Sequence, residues 1–257
     1  MLSKNKIKQI NGLQIKKNRQ SSRFFVAEGT KIVPELVRSK IQVLELFGTD
    51  RFFEMSFGNE IPVSIEKNSI SEAELKKISS LTTPNEVLAI CAIPENKLNV
   101  SELKNKLTLV LDDIRDPGNL GTIIRIADWF GIENIICSLE TVDIYNPKVV
   151  QATMGSIARV NVFYEDLKTI FLEALTKNNF PIYGTVLNGE NIFEKSLTSN
   201  GFIVIGNESN GISIELLPLI NEKISIPTFS VNETNSVESL NAAIATAIVC
   251  TEFKRRK

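Results

Sequence analysis

The sequence predicts an α/β protein in two units, and three observations predict it. Strand-like and helix-like stretches alternate along most of the chain. The run Leu107-Thr108-Leu109-Val110-Leu111 is apolar enough for a strand covered on both faces, as in a parallel sheet. Residues 94–106, with Glu95, Asn96, Lys97 and Asn105, are polar and carry no period, so they divide the chain. The expected division is a smaller α/β unit over 1–95, a linker over 96–106 and a parallel-sheet unit over 107–257.

The elements follow in order. Ile7, Ile10, Leu13 and Gln14 recur at helical spacing among lysines, so residues 4–19 read as a basic amphipathic helix. Phe24-Phe25-Val26-Ala27 reads as a short strand, Glu28-Gly29 as its stop, and residues 31–39 as a helix. Val43–Phe47 and Ile61–Ile65 read as strands. Ser71-Glu72-Ala73-Glu74 opens a short helix with acidic residues at its positive end. Val87–Ile93 is an apolar strand. After the 107–111 strand, Leu120, Ile123, Ile124, Ala127 and Phe130 mark a helix that stops at Gly131. Strands are expected at 134–137, 181–186, 201–205 and 223–226, and helices at 146–155, 166–177, 212–220 and 239–253.

Composition narrows the chemistry. The chain has 257 residues, 43% of them hydrophobic, enough for one large or two modest cores. Histidine is absent, which removes His-based triads, His general bases and most zinc sites. Cys91, Cys137 and Cys250 are far apart in apolar surroundings and read as buried thiols, with no metal spacing. No apolar run approaches the ~18 residues of a membrane helix, and no signal peptide precedes the charged start, so no membrane and a cytoplasmic location are expected. Residues 1–40 carry ten Lys/Arg and two Asp/Glu, a balance of +8 within a net charge of -1. This basic end on an acidic body fits a polyanion partner such as nucleic acid, and equally a solvated Lys-rich terminal helix.

Four polar insertions interrupt the apolar pattern. They are residues 112–127 (DDIRDPGNLGTIIRIA), Gly206-Asn207-Glu208-Ser209-Asn210-Gly211, Ile224-Ser225-Ile226-Pro227 and Ser239-Leu240-Asn241. Three lie after strands of the expected parallel sheet, where ligands usually bind. Gly206–Gly211 is not a dinucleotide fingerprint, because Glu208 replaces the second glycine and would oppose a pyrophosphate; alone it reads as a Gly-bounded turn. Asn119 and Arg125 are six residues apart, about 600° along a helix, and so do not share a face. Asn119 reads as a helix cap, and the planar donor fork of Arg125 suits a phosphate. Ser239 reads as the cap of the closing helix, with Asn241 in its first turn.

In this order the insertions resemble the signature of the SpoU (TrmH-like) RNA ribose methyltransferases: an Asn and an Arg six residues apart, GxExxG, an Ile-Pro strand end, then Ser-Leu-Asn. The resemblance spans about Leu107 to Phe253. Residues 25–29 (FVAEG) and 81–89 (LTTPNEVLA) resemble, more loosely, the ribosomal-protein L30e-like substrate-binding domain carried by many members.

The resemblance implies a C-terminal methyltransferase domain threaded into a trefoil knot, a homodimer, and S-adenosylmethionine as methyl donor. It implies methyl transfer to a ribose 2'-hydroxyl of structured RNA, leaning towards ribosomal over transfer RNA. The catalytic set is then Asn119, Arg125, Glu208, Ser239 and Asn241. Gly206, Gly211, Ile226 and Leu240 would contact the cofactor, with Thr185, Val186 and Leu187 along its adenine side; no metal is expected. The loop Thr228–Glu238 is longer than in the family pattern and has no glycine, and it either alters cofactor affinity and the alignment of Ser239 and Asn241 or is a harmless outward bulge. A non-catalytic RNA-binding protein on the same scaffold is the alternative. A nucleotide-binding α/β enzyme is a third reading, and the missing Gly-rich phosphate loop counts against it.

Overall fold

The computed structural model describes residues 1–54, 56–178, 180–229 and 239–255. In chain order the elements begin with α1 (Lys4–Gly12), α2 (Lys16–Ser22), β1 (Phe24–Glu28), α3 (Ile32–Val37), β2 (Val43–Gly48), α4 (Asp50–Glu54), β3 (Glu66–Ser69), α5 (Glu72–Ile78) and β4 (Val87–Ala92). They continue with β5 (Leu107–Leu111), α6 (Pro117–Trp129), β6 (Asn134–Cys137), α7 (Pro147–Thr153), β7 (Asn161–Tyr164), α8 (Leu167–Asn178), β8 (Ile182–Asn191), β9 (Gly201–Ile205), β10 (Glu222–Ser225) and α9 (Ala242–Arg255). They form two units, Met1–Glu95 with Asp143–Arg159, and Asn96–Val142 with Val160–Lys257.

The first unit is built on a four-stranded sheet in the order β1-β4-β2-β3, with β4 antiparallel to both neighbours and β2 parallel to β3. The helix expected over residues 4–19 is two helices. Between them Leu13 sinks into the core at 3% exposure, and the freed carbonyls of Leu13 and Gln14 accept from Arg19 Nη1, each at 2.9 Å. A side chain thus satisfies groups that a continuous helix would have used. The strand expected at Ile61–Ile65 is not formed. Strand β3 lies just beyond, in the polar stretch Glu66–Ser69, while Ile61 and Ile65 are buried from a loop. An edge strand needs only backbone pairing, so its side chains do not announce it.

Helix α5 opens with a capping box. Ser71 accepts from the Glu74 amide, and Glu74 accepts from that of Ser71. Glu74 also accepts from the Leu2 amide at 2.7 Å, and these backbone bonds hold its carboxyl below the usual range. Among the side chains that join residues 143–159 to this unit are Asp143, Tyr145 and Arg159. Asp143 Oδ2 accepts from Arg19 Nη2 and Nε at 2.6 and 3.0 Å, the Tyr145 ring lies 4.8 Å from that of Phe25, and Arg159 reaches Glu35 at 2.5 Å. Burial and the Asp143 charge push the Tyr145 hydroxyl up to about 12.

The second unit is a six-stranded sheet in the order β10-β8-β9-β5-β6-β7, and every neighbouring pair is parallel. Every residue of β5 and β9 is buried, which is why these strands read as unbroken apolar runs. Val110, Phe171, Phe202 and Val204 share one core with Leu216 and Ile220. Each such side chain contributes about 2 kcal/mol when fully buried. Strand β7 gave no signal in the sequence because its residues are half-exposed at the sheet edge.

The helix expected over 212–220 is only a tight turn at Leu217–Leu219. Pro218 has no N–H to give a helix, and the Ser213 amide is held instead by the Asp112 carboxylate at 2.7 Å. Helix α9 packs against α6. The loop Thr228–Glu238, expected to lie in the knot, falls mostly outside the described residues, at 230–238.

Candidate active site

Because all six strands of the second unit run the same way, the turns after β5, β9 and β10 lie on one edge of the sheet. The turn after β5 is anchored first. Asp112, 4% exposed, accepts from the Ser213 amide, and Asp113, left-handed at φ 55, donates its amide to Ser138 Oγ at 3.0 Å. The Asp113 carbonyl accepts from Asn207 Nδ2 at 2.8 Å. Two loops more than ninety residues apart are thereby fastened to each other.

Helix α6 then starts, with Asp116 as its cap. Asp116 Oδ1 accepts from the Asn119 amide at 2.8 Å, and Pro117 fills the first helical position. The capping role expected of Asn119 therefore belongs to Asp116. Asn119 sits inside the first turn, where its side chain is released from capping. Its Nδ2 donates to Glu208 Oε1 at 2.5 Å.

Gly206–Gly211 forms a closed loop that presents Glu208. Asn207 and Gly211 exchange two backbone hydrogen bonds of 2.9 Å, and Asn207 Oδ1 accepts from the Ser209 and Asn210 amides at 2.9 and 3.1 Å. Both glycines are required. A Cβ on Gly206 would lie 2.3 Å from the Gly211 carbonyl carbon, and Gly211 adopts φ +66°.

Helix α9 begins three residues later than expected, and its cap is Asn241 rather than Ser239. Asn241 Oδ1 accepts from the Ala243 and Ile244 amides at 2.9 and 3.3 Å, and its Nδ2 donates to Asn119 Oδ1 at 2.9 Å. Asn119, Glu208 and Asn241, up to 122 positions apart, thus form one hydrogen-bonded chain. Arg125 and Ser239 are not hydrogen-bonded to it. Arg125 is exposed on α6, and its guanidinium makes no hydrogen bond or ion pair among the described residues. Ser239 is exposed ahead of α9.

Of the residues expected to hold the cofactor, Gly206 and Ile226 directly follow β9 and β10, and Thr185, Val186 and Leu187 lie within β8, just past the residues that pair with β9. The Thr185 hydroxyl donates to the Val204 carbonyl at 2.9 Å, Val186 packs on the core, and Leu187 is 84% exposed. The backbone groups of Gly206, Ile226 and Leu240 form no hydrogen bond among the described residues. A ligand recognised mainly through main-chain donors and acceptors fits such a rim. Asp112, Asp113, Asp116 and Asn207 hold the site without having been singled out from the sequence. Their only signal was their position inside the insertions. Burial pushes all three thiols up, Cys250 to about 12, so none is an available nucleophile. Among the described residues no cluster of acidic or thiol groups is placed to hold a metal.

The family model described as the SpoU rRNA Methylase family matches residues 106–251, more than half of the chain. The protein belongs to the SpoU rRNA methylase family. A second model, the MRM3-like substrate binding domain, matches residues 4–89. The 23S rRNA (guanosine(2553)-2'-O)-methyltransferase RlmP of Bacillus subtilis (strain 168) is 29% identical over 245 residues, which cover 95% of this chain and 94% of that protein. A TrmH-family structure from Porphyromonas gingivalis superposes with a TM-score of 0.89 at 37% identity, over the full length of both chains. The AdoMet-bound rRNA methyltransferase of Sinorhizobium meliloti superposes with a TM-score of 0.85 at 27% identity, covering 100% of this chain and 96% of that one. This SpoU protein therefore shares with its relatives both the parallel-sheet domain and the smaller N-terminal domain.

Proposed function

We propose that this SpoU protein transfers the methyl group of S-adenosylmethionine to a ribose 2'-hydroxyl of structured RNA, with ribosomal RNA favoured over transfer RNA. The observation that carries the reading is the Glu208–Asn119–Asn241 chain on the ligand-binding edge of the sheet, with Arg125, unpartnered among the described residues, on the same helix as Asn119. The name of the Bacillus subtilis relative favours ribosomal RNA.

Bound S-adenosylmethionine supplies an already activated methyl group, so the protein must align donor and acceptor and help the hydroxyl lose its proton. The main-chain rim of Gly206, Ile226 and Leu240 would hold the donor, with Gly211, whose backbone groups are paired with Asn207, closing the loop beside it and Thr185, Val186 and Leu187 on the adenine side. Arg125 binds the phosphate of the target nucleotide and orients the hydroxyl, because a guanidinium keeps its proton and is suited to phosphate. Asn119 and Glu208 hold that arrangement, with Ser239 assisting. The 2'-hydroxyl itself distinguishes RNA from DNA.

Residues 1–95 serve as the RNA-binding domain, joined through 96–106 to the methyltransferase domain at 107–257. The match of residues 4–89 to a substrate-binding model supports that division. The protein works in the cytoplasm as a homodimer. Trp129 on α6 and Ile244 on α9, 85% and 54% exposed, are apolar side chains that a second copy would cover.

The test is transfer of labelled methyl from S-adenosylmethionine to ribosomal and transfer RNA, followed by mapping of 2'-O-methyl marks. Transfer is expected with the wild type and is expected to fall at least about a hundredfold in Arg125→Ala and in Asn119→Ala without unfolding. RNA retention with no turnover, undiminished in both variants, would instead assign a binding module on a methyltransferase scaffold.

A further inference from the structure

We propose that Asn241 is a positioning residue that sets the direction of a one-way hydrogen-bond relay running from the first turn of α9 through Asn119 to the Glu208 carboxylate. The proposal rests on the methyltransferase reading and assigns Asn241 a task distinct from touching substrate.

The direction is forced by chemistry. Backbone N–H groups only donate, so the atom of Asn241 that faces the Ala243 and Ile244 amides must be its carbonyl oxygen. That leaves the Asn241 amino group to face Asn119, which must answer with its own carbonyl oxygen at 2.9 Å. The Asn119 amino group is then turned to Glu208, where the carboxylate accepts it. Each amide has two possible orientations in isolation. Here the helix end selects one for Asn241, Asn241 selects one for Asn119, and Asn119 fixes one oxygen of Glu208. The sense of charge agrees at both ends, since the relay starts at the positive pole of a 14-residue helix and finishes on an anion.

Asn241 also follows Leu240 directly, and Leu240 belongs to the proposed cofactor rim. The start of α9 and the Glu208 carboxylate are therefore linked by two amides whose orientations cannot change independently. Glu208 Oε2 makes no hydrogen bond among the described residues, so the carboxylate is held through Oε1 alone.

The decisive variant is Asn241→Asp. A carboxylate caps a helix as well as an amide does, but it cannot donate to Asn119 at neutral pH. The relay is cut while the cap survives. In protein labelled with 15N at asparagine, the Asn119 side-chain NH2 pair, assigned by its absence in Asn119→Ala, should show nuclear Overhauser contacts to the Glu208 side chain in the wild type and lose them in Asn241→Asp, where the amino group turns to the new carboxylate. The melting temperature and the calorimetric affinity for S-adenosylmethionine should stay close to wild type, the affinity within about threefold. The single-turnover methyl-transfer rate should fall at least about thirtyfold. Because the two amides act as one path, adding Asn119→Ala to Asn241→Asp should be no slower than Asn119→Ala alone.

Retained contact of the Asn119 amino group with Glu208 in Asn241→Asp, or losses that multiply in the double variant, would overturn the relay. If no RNA is methylated by the wild type yet the Asn119 contacts change as described, the functional reading falls while the relay stands.

Discussion

At the residue scale, the site is a set of short polar side chains whose partners are fixed by a few unusual backbone positions. Gly206 shows the constraint most directly. With a Cβ placed 2.3 Å from the Gly211 carbonyl carbon, Gly206→Ala cannot be accommodated without moving the loop that carries Glu208. A loss of about 2–3 kcal/mol is expected in denaturant titration, of the size found for overpacking, together with loss of methyl transfer. Arg125→Ala should do the reverse. Its guanidinium is exposed and unpartnered among the described residues, so stability should shift by no more than about 0.5 kcal/mol while transfer falls at least about a hundredfold. The residue types at 119, 125, 208 and 241 were legible in the sequence. What they touch was not, because a hydrogen bond between positions 119 and 241 leaves no trace in the residues near either.

At the element scale, helix starts decide where the functional groups stand. Asp116 caps α6 and so fixes the turn on which Asn119 is carried. Asp116→Ala should cost about 1 kcal/mol and slow transfer, whereas Asp116→Asn should retain both, since either side chain accepts from the Asn119 amide. Both misplaced caps have one cause. In Asp116–Asn119 and in Ser239–Asn241, two good capping residues lie within three positions, and local preference does not choose between them. The polar edge strands β3 and β7 were hidden for a related reason, as partial exposure removes the apolar alternation that reveals a strand. Helix α5 carries a pH dependence. Backbone bonds from Leu2 and Ser71 lower the Glu74 pKa in the folded protein, so its contribution is present above the unfolded value of 4.5 and is lost as the pH falls through the lower folded value. The difference in melting temperature between the wild type and Glu74→Ala should therefore shrink as the pH is taken below 4.5.

At the scale of the whole molecule, the largest departure from the sequence pattern is the segment Asp143–Arg159. It interrupts the strand–helix alternation of the second unit, yet packs with the first. Arg19, 2% exposed, is the anchor, with Asp143 as its charge partner and two carbonyls accepting from its Nη1. Removing one half of such a pair leaves a buried charge unanswered, so Asp143→Ala should cost about 3 kcal/mol. The double variant Arg19→Met/Asp143→Leu should recover only part of that loss, because the Leu13 and Gln14 carbonyls then lose their donor, and urea titration of the three proteins would show it. The sequence by itself determined the α/β class, the apolar strands β5 and β9, and the identity of the polar residues, because burial and helical periodicity are written in neighbouring positions. Only the tertiary structure decided which amide faces which, which residue caps each helix, and which unit holds residues 143–159. Those outcomes depend on geometry between residues tens to more than a hundred positions apart, where a local pattern has nothing to record.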